Sequence, residues 1–311
     1  MTKLESHIRS LLSDRALASV LTYLTSGRIR TARTSQFVFL CGKSLDEPGC
    51  ARKTLLDYGR RHITWCKFFL AEDAIDALRE SGTTPDLLTI EGYLADYADS
   101  ILIILESDGA KAELGAFAHR NDLSRKTLVI NDERFRSSPS FIREGPIRKL
   151  DEESKLGETI YTDFASISRV HDLVAERLKM VQPKQRAPVR FSDYESLRKV
   201  RLKDRTLLIA DLVGLLSPIA YSELVAILEM ALGEGEYDFL RVDRSMLRSL
   251  GFLREDLALG GEKMLVTTPL TSPFCDYDGG DLFEIRSQVL LSYRKRDRSR
   301  FDLLRERAGE T

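Results

Sequence analysis

Three carboxylates, Glu106, Asp108 and Glu113, fall within the decapeptide Glu106-Ser107-Asp108-Gly109-Ala110-Lys111-Ala112-Glu113-Leu114-Gly115. They follow Ser100-Ile101-Leu102-Ile103-Ile104-Leu105, the strongest apolar run in the chain. A short, continuously apolar run of this kind reads as a strand buried on both faces of a parallel sheet. The carboxylates therefore sit between the C-terminal end of a strand and the first turn of the helix after it. Ligands of open α/β sheets bind at that edge, where helix N-termini present unpaired backbone N–H groups. Gly109 permits a tight turn there, and Glu113 points back toward the sheet from a helix expected over about 110–119. The helix terminus both favours a carboxylate in that place and tunes it. Two other segments meet the same condition, Cys41-Gly42-Lys43 and Leu70-Ala71-Glu72-Asp73. Cys41 reads as a strand-end residue of the pocket wall, since nothing marks a base paired with it. Glu72 and Asp73 line the pocket or cap a helix, and Glu91, on a helix, contacts substrate or faces solvent.

The elements that must hold these residues follow from the hydrophobic pattern. Gln36–Cys41, Thr64–Phe69, Ser100–Leu105, Thr127–Ile130 and Thr159–Tyr161 are strand candidates, alternating with helices near 51–60, from Asp86, over 110–119 and over 164–180. That alternation implies a doubly wound parallel sheet with helices on both faces. Asn131–Leu150, rich in Arg, Ser and Pro, reads as a long loop of the kind that covers a site, where Phe141 and Arg143 either anchor the loop or form a lid over substrate. Apolar spacing over 3–24 predicts one amphipathic helix outside the sheet. Beyond a Pro-bearing basic linker, helices over Leu207–Leu216, Ile219–Leu232 and Phe239–Leu250 precede two β-like segments, Gly251–Leu253 and Lys263–Thr267. Three helices and a hairpin is the order of a winged helix. The expected division is an N-terminal helix (1–28), the α/β domain (29–181), a linker (182–192), a winged-helix-like domain (193–280) and a basic C-terminal helix or tail (281–311).

Phe39-Leu40-Cys41-Gly42, Leu70-Ala71-Glu72-Asp73, Glu91, Ala98-Asp99 and Glu106-Ser107-x-Gly109-x-x-x-Glu113-Leu114-Gly115-Ala116-Phe117 occur in that order. With Ser140-Phe141-Ile142 and Gly145-Pro146-Ile147-Arg148, they resemble the nucleoside deoxyribosyltransferase-like effector of bacterial retrons over residues 36–150. The resemblance implies Glu113 as nucleophile, with Glu106 and Asp108 assisting and with Cys41, Gly42, Glu72, Asp73, Glu91, Gly109 and Phe141 around the substrate. A carboxylate suits N-glycoside cleavage, because it can capture the anomeric carbon of an oxocarbenium-like transition state and release it to water. The resemblance further implies an anti-phage toxin that cleaves NAD, a nucleotide or a nucleoside without a cofactor. Reverse transcriptase and msDNA joined to structured RNA would restrain it, in an assembly of open size. Two rival readings stand beside it, a nucleotide-sensing DNA-binding regulator and a non-catalytic assembly subunit.

Charge distribution bears on the partner. The 311 residues carry 47 Lys plus Arg against 48 Asp plus Glu, a net charge of −1. Phe69–Glu113 holds eleven acidic and two basic residues, whereas Pro183–Thr206 and Arg286–Arg307 each hold eight basic and three acidic. The two basic segments suit phosphate contact, and Arg198, Lys199, Arg201, Arg294, Lys295 and Arg296 are the candidates for nucleic acid or a partner. Four cysteines, at 41, 50, 66 and 275, form no C-x-x-C pair, which argues against a zinc module and a disulfide scaffold. The four histidines form no motif. The charged, amphipathic N-terminus and the lack of any apolar run near ~20 residues point to a reduced, cytoplasmic chain.

Overall fold

Gln36–Cys41 (β1) is buried at all six positions, and its side chains alternate between two cores. Val38 and Leu40 join Leu55 and Leu56 of the helix Ala51–His62 (α1), Leu102 and Ile104 of Ser100–Ile104 (β3), and Phe68 of Cys66–Phe69 (β2). Phe37 and Phe39 point the other way. There they meet Tyr97 of the helix Leu87–Tyr97 (α2) and Phe117 of Asp108–His119 (α3), with ring centroids 5.1 and 6.3 Å apart. Side chains alternate sides along a strand, so the five successive apolar residues 37–41 require cover on both faces. All five strands run parallel in the order β2-β1-β3-β4-β5, where β4 is Thr127–Asp132 and β5 is Ile160–Thr162. This is the doubly wound sheet that the sequence implies. The winding reverses between β1 and β3, which makes their C-terminal ends the switch point where such sheets bind ligands.

This computed structural model describes residues 2–25, 28–31, 36–73, 75, 86–181, 188–257, 261, 263–267 and 273–308. The chain divides into two compact units, residues 33–184 and residues 1–32 with 185–311. Residues 182–187 of the expected linker and Gly260, expected between the two β-like segments, lie outside the described residues.

Several elements differ from expectation for local reasons. Helix α3 starts at Asp108, two residues early, because extended Ser107 caps it by accepting the Ala110 N–H at 3.2 Å. Gly109 is thus an ordinary first-turn residue with a negative φ, and no tight turn depends on it. The expected loop 131–150 is largely structured: β4 runs to Asp132, a 3-10 turn covers Glu133–Phe135, and helix resumes at Phe141. Pro146 has no N–H and would clash with the carbonyl four residues back in an α-helix. Arg143–Ile147 accordingly forms a π turn, which the Arg148 N–H closes onto the Arg143 carbonyl before the helix Arg148–Glu153 (α4). The segment 164–180 is a 3-10 helix, Phe164–Val170, followed by the α-helix His171–Lys179 (α5).

In the other unit the N-terminal segment is two helices, Lys3–Leu11 and Asp14–Thr25, broken by extended Leu12. Ile29–Thr31 pairs antiparallel with Cys275–Tyr277, so it forms a ribbon and not part of the parallel sheet. Helices Leu202–Leu216, Tyr221–Leu232 and Phe239–Ser249 surround a small antiparallel sheet. Ile219–Ala220, expected as helix, is an edge strand of that sheet beside Lys263–Thr267, which pairs on its other side with Leu253–Leu257. Gly251, at φ +71°, takes the left-handed conformation that ends the preceding helix, so the strand starts after it. The basic C-terminal stretch is helical, Leu282–Arg296 and Arg298–Ala308. Among the described residues no helix is long and apolar enough to cross a membrane.

Candidate functional site

The switch point is built around the N-terminus of α1. Glu106 leaves the end of β3 and accepts the backbone N–H groups of Ala51 at 2.8 Å, Arg52 at 2.9 Å and Lys43 at 3.4 Å. A carboxylate facing the first turn of a helix satisfies donors that have no intrahelical partner. Gly42 leaves room for this arrangement. A Cβ there would lie 3.2 Å from Glu106 Oε1 and 3.1 Å from Arg52 Cδ.

Arg52 is 3% exposed and takes four acceptors. Its Nε donates to the Leu40 carbonyl at 3.1 Å and Nη1 to the Lys43 carbonyl at 3.2 Å. The fork then grips Glu72 in a bidentate pair, at 2.6 and 2.8 Å. Glu72, with its side chain 49% exposed, keeps one side open to solvent, and the pair holds its carboxyl below the usual range despite partial burial.

Glu113 occupies the middle of this edge. Burial pushes its carboxyl up to about 7; Glu91 raises it further, whereas Arg52 and a hydrogen bond from the Cys41 thiol oppose the rise. Its Oε2 is buried with no hydrogen-bond partner among the described residues. A desolvated, unpartnered carboxylate oxygen is a reactive one, because no donor must be stripped from it before it attacks. Glu91 is half-buried, and burial together with Glu72 raises its carboxyl too. Burial and the Glu113 charge push the Cys41 thiol well up, so it stays protonated and serves as a donor.

The structure thus gathers Cys41, Gly42, Glu72, Glu91, Glu106 and Glu113. It does not gather the rest. Asp108 has its side chain 98% exposed, paired with Lys111 at 2.8 Å, and that pair draws its carboxyl down. Asp73 is exposed, and Phe141 is 86% exposed, its ring lying over Gly145. Arg52 is absent from the sequence reading. The available signal was its place in the first turn of the helix after the first strand, near the same sheet edge as Glu113, which lies one turn further along its own helix.

The basic candidates divide in the same way. Arg198 and Lys199 are exposed and share Glu195 at 3.4 and 3.8 Å, and Arg201, Arg294 and Lys295 are exposed. Arg296 instead donates to the carbonyls of Arg9, Ser10 and Leu12, closing the end of the first helix. Arg205 and Arg300, counted in the basic segments, are buried in pairs with Asp243 and Glu223.

Sheet order defines a doubly wound α/β protein, and its carboxylate-rich edge at the β1/β3 switch point is the candidate ligand site. Residues 48–255 match the STM3845 retron effector protein family, and the chain belongs to that family. Two relatives from Escherichia coli share one description, putative ribosyltransferase/DNA-binding protein. The relative from retron Ec73 is 30% identical over 256 residues, 77% of this chain and 79% of its own length. The relative from retron Ec86 is 33% identical over 139 residues, 44% of this chain and 45% of its own length.

Proposed function

We propose that this retron effector cleaves an N-glycosidic bond of NAD, a nucleotide or a nucleoside, with Glu113 as the nucleophile. The observation that carries the reading is the Glu113 carboxylate at the switch point, buried, with Oε2 unpartnered and two further carboxylates around it. Ionised Glu113 attacks the anomeric carbon as the bond to the base breaks, and water then releases the sugar from the ester. With a nucleoside or nucleotide, Glu91, biased toward its protonated form by burial, supplies a proton to the departing base, whereas the nicotinamide of NAD leaves neutral and needs none. Glu72, fixed by Arg52 yet open to solvent, accepts from sugar hydroxyls. Glu106 acts through the loop that it holds. In the other unit, three helices and an antiparallel sheet follow winged-helix order, and the exposed Arg198, Lys199, Arg201, Arg294 and Lys295 offer phosphate contacts. That supports restraint of the toxin by reverse transcriptase and msDNA in the cytoplasm. The test is incubation of the chain, alone and with its retron partners, with NAD and common nucleosides while free base is followed by chromatography. Base release lost in Glu113→Gln supports the reading; release unchanged by that substitution overturns it. The same winged-helix order favours a second reading, a DNA-binding regulator. Tight binding to a specific duplex with no base release under any condition would establish that one instead.

A further inference from the structure

Glu113 is faced by charged and titratable groups from four elements: Cys41 at the end of β1, Arg52 on α1, Glu72 after β2 and Glu91 on α2. Of these, only Arg52 is a cation. It is buried, its guanidinium is tied to two backbone carbonyls, and both oxygens of Glu72 are in its fork. Its backbone N–H is in turn held by Glu106. The cation is thus fixed in position before any ligand arrives, and Glu72 is fixed with it. We propose that Arg52 is a positioning residue for the Glu113 carboxylate: the pair formed by buried Arg52 and half-exposed Glu72 sets the charge against which Glu113 ionises, and Arg52 holds Glu72 in place for substrate. The role rests on the reading of Glu113 as nucleophile, but its electrostatic half is measurable without turnover.

Removing either member of the pair alone leaves the other uncompensated beside Glu113. Opposite charges near a carboxylate move its titration in opposite directions. In Arg52→Met, Glu72 stands as a bare anion and Glu113 must titrate at higher pH. In Glu72→Gln, Arg52 stands as a bare cation and Glu113 must titrate at lower pH. The double variant removes both charges and must return close to the parent. A purely structural role for Arg52 predicts no such opposition, since both single variants would loosen the same loop.

The experiment follows the side-chain carboxyl 13C resonance of Glu113 against pH in the full-length chain labelled at Glu Cδ, assigned by its loss in Glu113→Gln. The acidic limb of kcat/KM for base release is measured in parallel. Opposite shifts in the two single variants, cancelling in the double, support the proposal. Shifts in one direction, or none in folded variants, overturn it. If Arg52→Met does not fold, Glu72→Gln alone decides, because an unmoved or raised Glu113 titration there contradicts a bare Arg52 cation. Opposite resonance shifts with no base release in the parent would sustain the Arg52 assignment and reject the glycosidic reaction, so the two failures are distinct.

Discussion

Glu106 closes on Ala51. A carboxylate at the end of β3 accepts the first N–H of α1 at 2.8 Å, and so joins the strand that precedes Glu113 to the helix that carries Arg52. Its other oxygen takes the Arg52 N–H at 2.9 Å. Nearness to Glu113 in sequence suggests an assisting carboxylate, whereas its partners describe a strut. Glu106→Ala leaves those N–H groups without their acceptor and should cost about 1–3 kcal/mol in a urea melt. Glu106→Gln keeps one acceptor and should cost less. Base release should fall in step with stability across the two variants. An alanine variant as stable as the parent yet inactive would return Glu106 to the chemistry.

Glu113→Gln should abolish base release while making the protein more stable above neutral pH. The folded chain holds the Glu113 carboxyl up to about 7, against about 4.5 for an ordinary glutamate. Between those values the folded state keeps a proton that the unfolded state has released, so the parent loses stability as pH rises through that window. Glutamine has nothing to ionise and escapes the loss. The gain should be small near pH 4.5 and reach roughly 1–3 kcal/mol by pH 8. Urea midpoints of both proteins across pH 4.5–8 measure it, and a gap that fails to widen with pH would contradict a desolvated Glu113.

These two carboxylates show which features local pattern carries. β1, β3 and β4 are legible because a strand buried on both faces is apolar through its middle, as at residues 37–41, 101–104 and 128–130, and Glu113 is legible because it falls near the start of the helix after β3. Whether Glu106 or Asp108 joins Glu113 depends on where that helix starts. Ser107 decides this by capping at Asp108, which turns Asp108 to solvent. The π turn at Arg143–Ile147 was hidden because Gly145 and Pro146 read as loop residues. Arg52 was illegible for a different reason: its meaning lies in Glu72, twenty positions away, and spacing along one element does not reach that far. Counting charge by segment failed at Arg205 and Arg300 in the same way, since their partners are remote in sequence.

The pH dependence of base release should expose the Cys41 thiol. With a nucleoside, kcat/KM of the free enzyme should rise tenfold per unit on the acid side as Glu113 ionises and fall on the alkaline side as Glu91 loses the proton it donates. The Cys41 thiol donates to Glu113 and so favours its charged form. Cys41→Ala removes that donor, and the acid limb should move to higher pH by a few tenths of a unit. Burial also keeps Cys41 protonated. Iodoacetamide at pH 8 should therefore leave it unmodified in the folded chain and label it in urea, as mass spectrometry would show. An unmoved limb, or ready labelling of the native protein, would remove the thiol from the site.

Along Arg294-Lys295-Arg296, stability and binding should separate. Arg294 and Lys295 are exposed, whereas Arg296 donates to three carbonyls around the end of the first helix. Reversing Arg294 and Lys295 to Glu should leave the urea midpoint within about 0.5 kcal/mol of the parent, as for most surface changes. If they meet phosphates, the same change should weaken binding to the retron nucleic acid and flatten the dependence of log K on log salt by about one for each phosphate no longer neutralised. Arg296→Ala should instead cost about 1–2 kcal/mol, since three carbonyls lose a charged donor. Arg300→Met should cost about 3–5 kcal/mol, because it strands buried Glu223, which Arg300 meets at 2.7 and 2.9 Å. Glu223→Gln added to Arg300→Met should recover part of that loss. Binding and melting measured on the same four proteins would decide whether this basic stretch is a contact surface over a structural spine. A double reversal that destabilises the fold, or leaves the salt dependence intact, would show that it is only the spine.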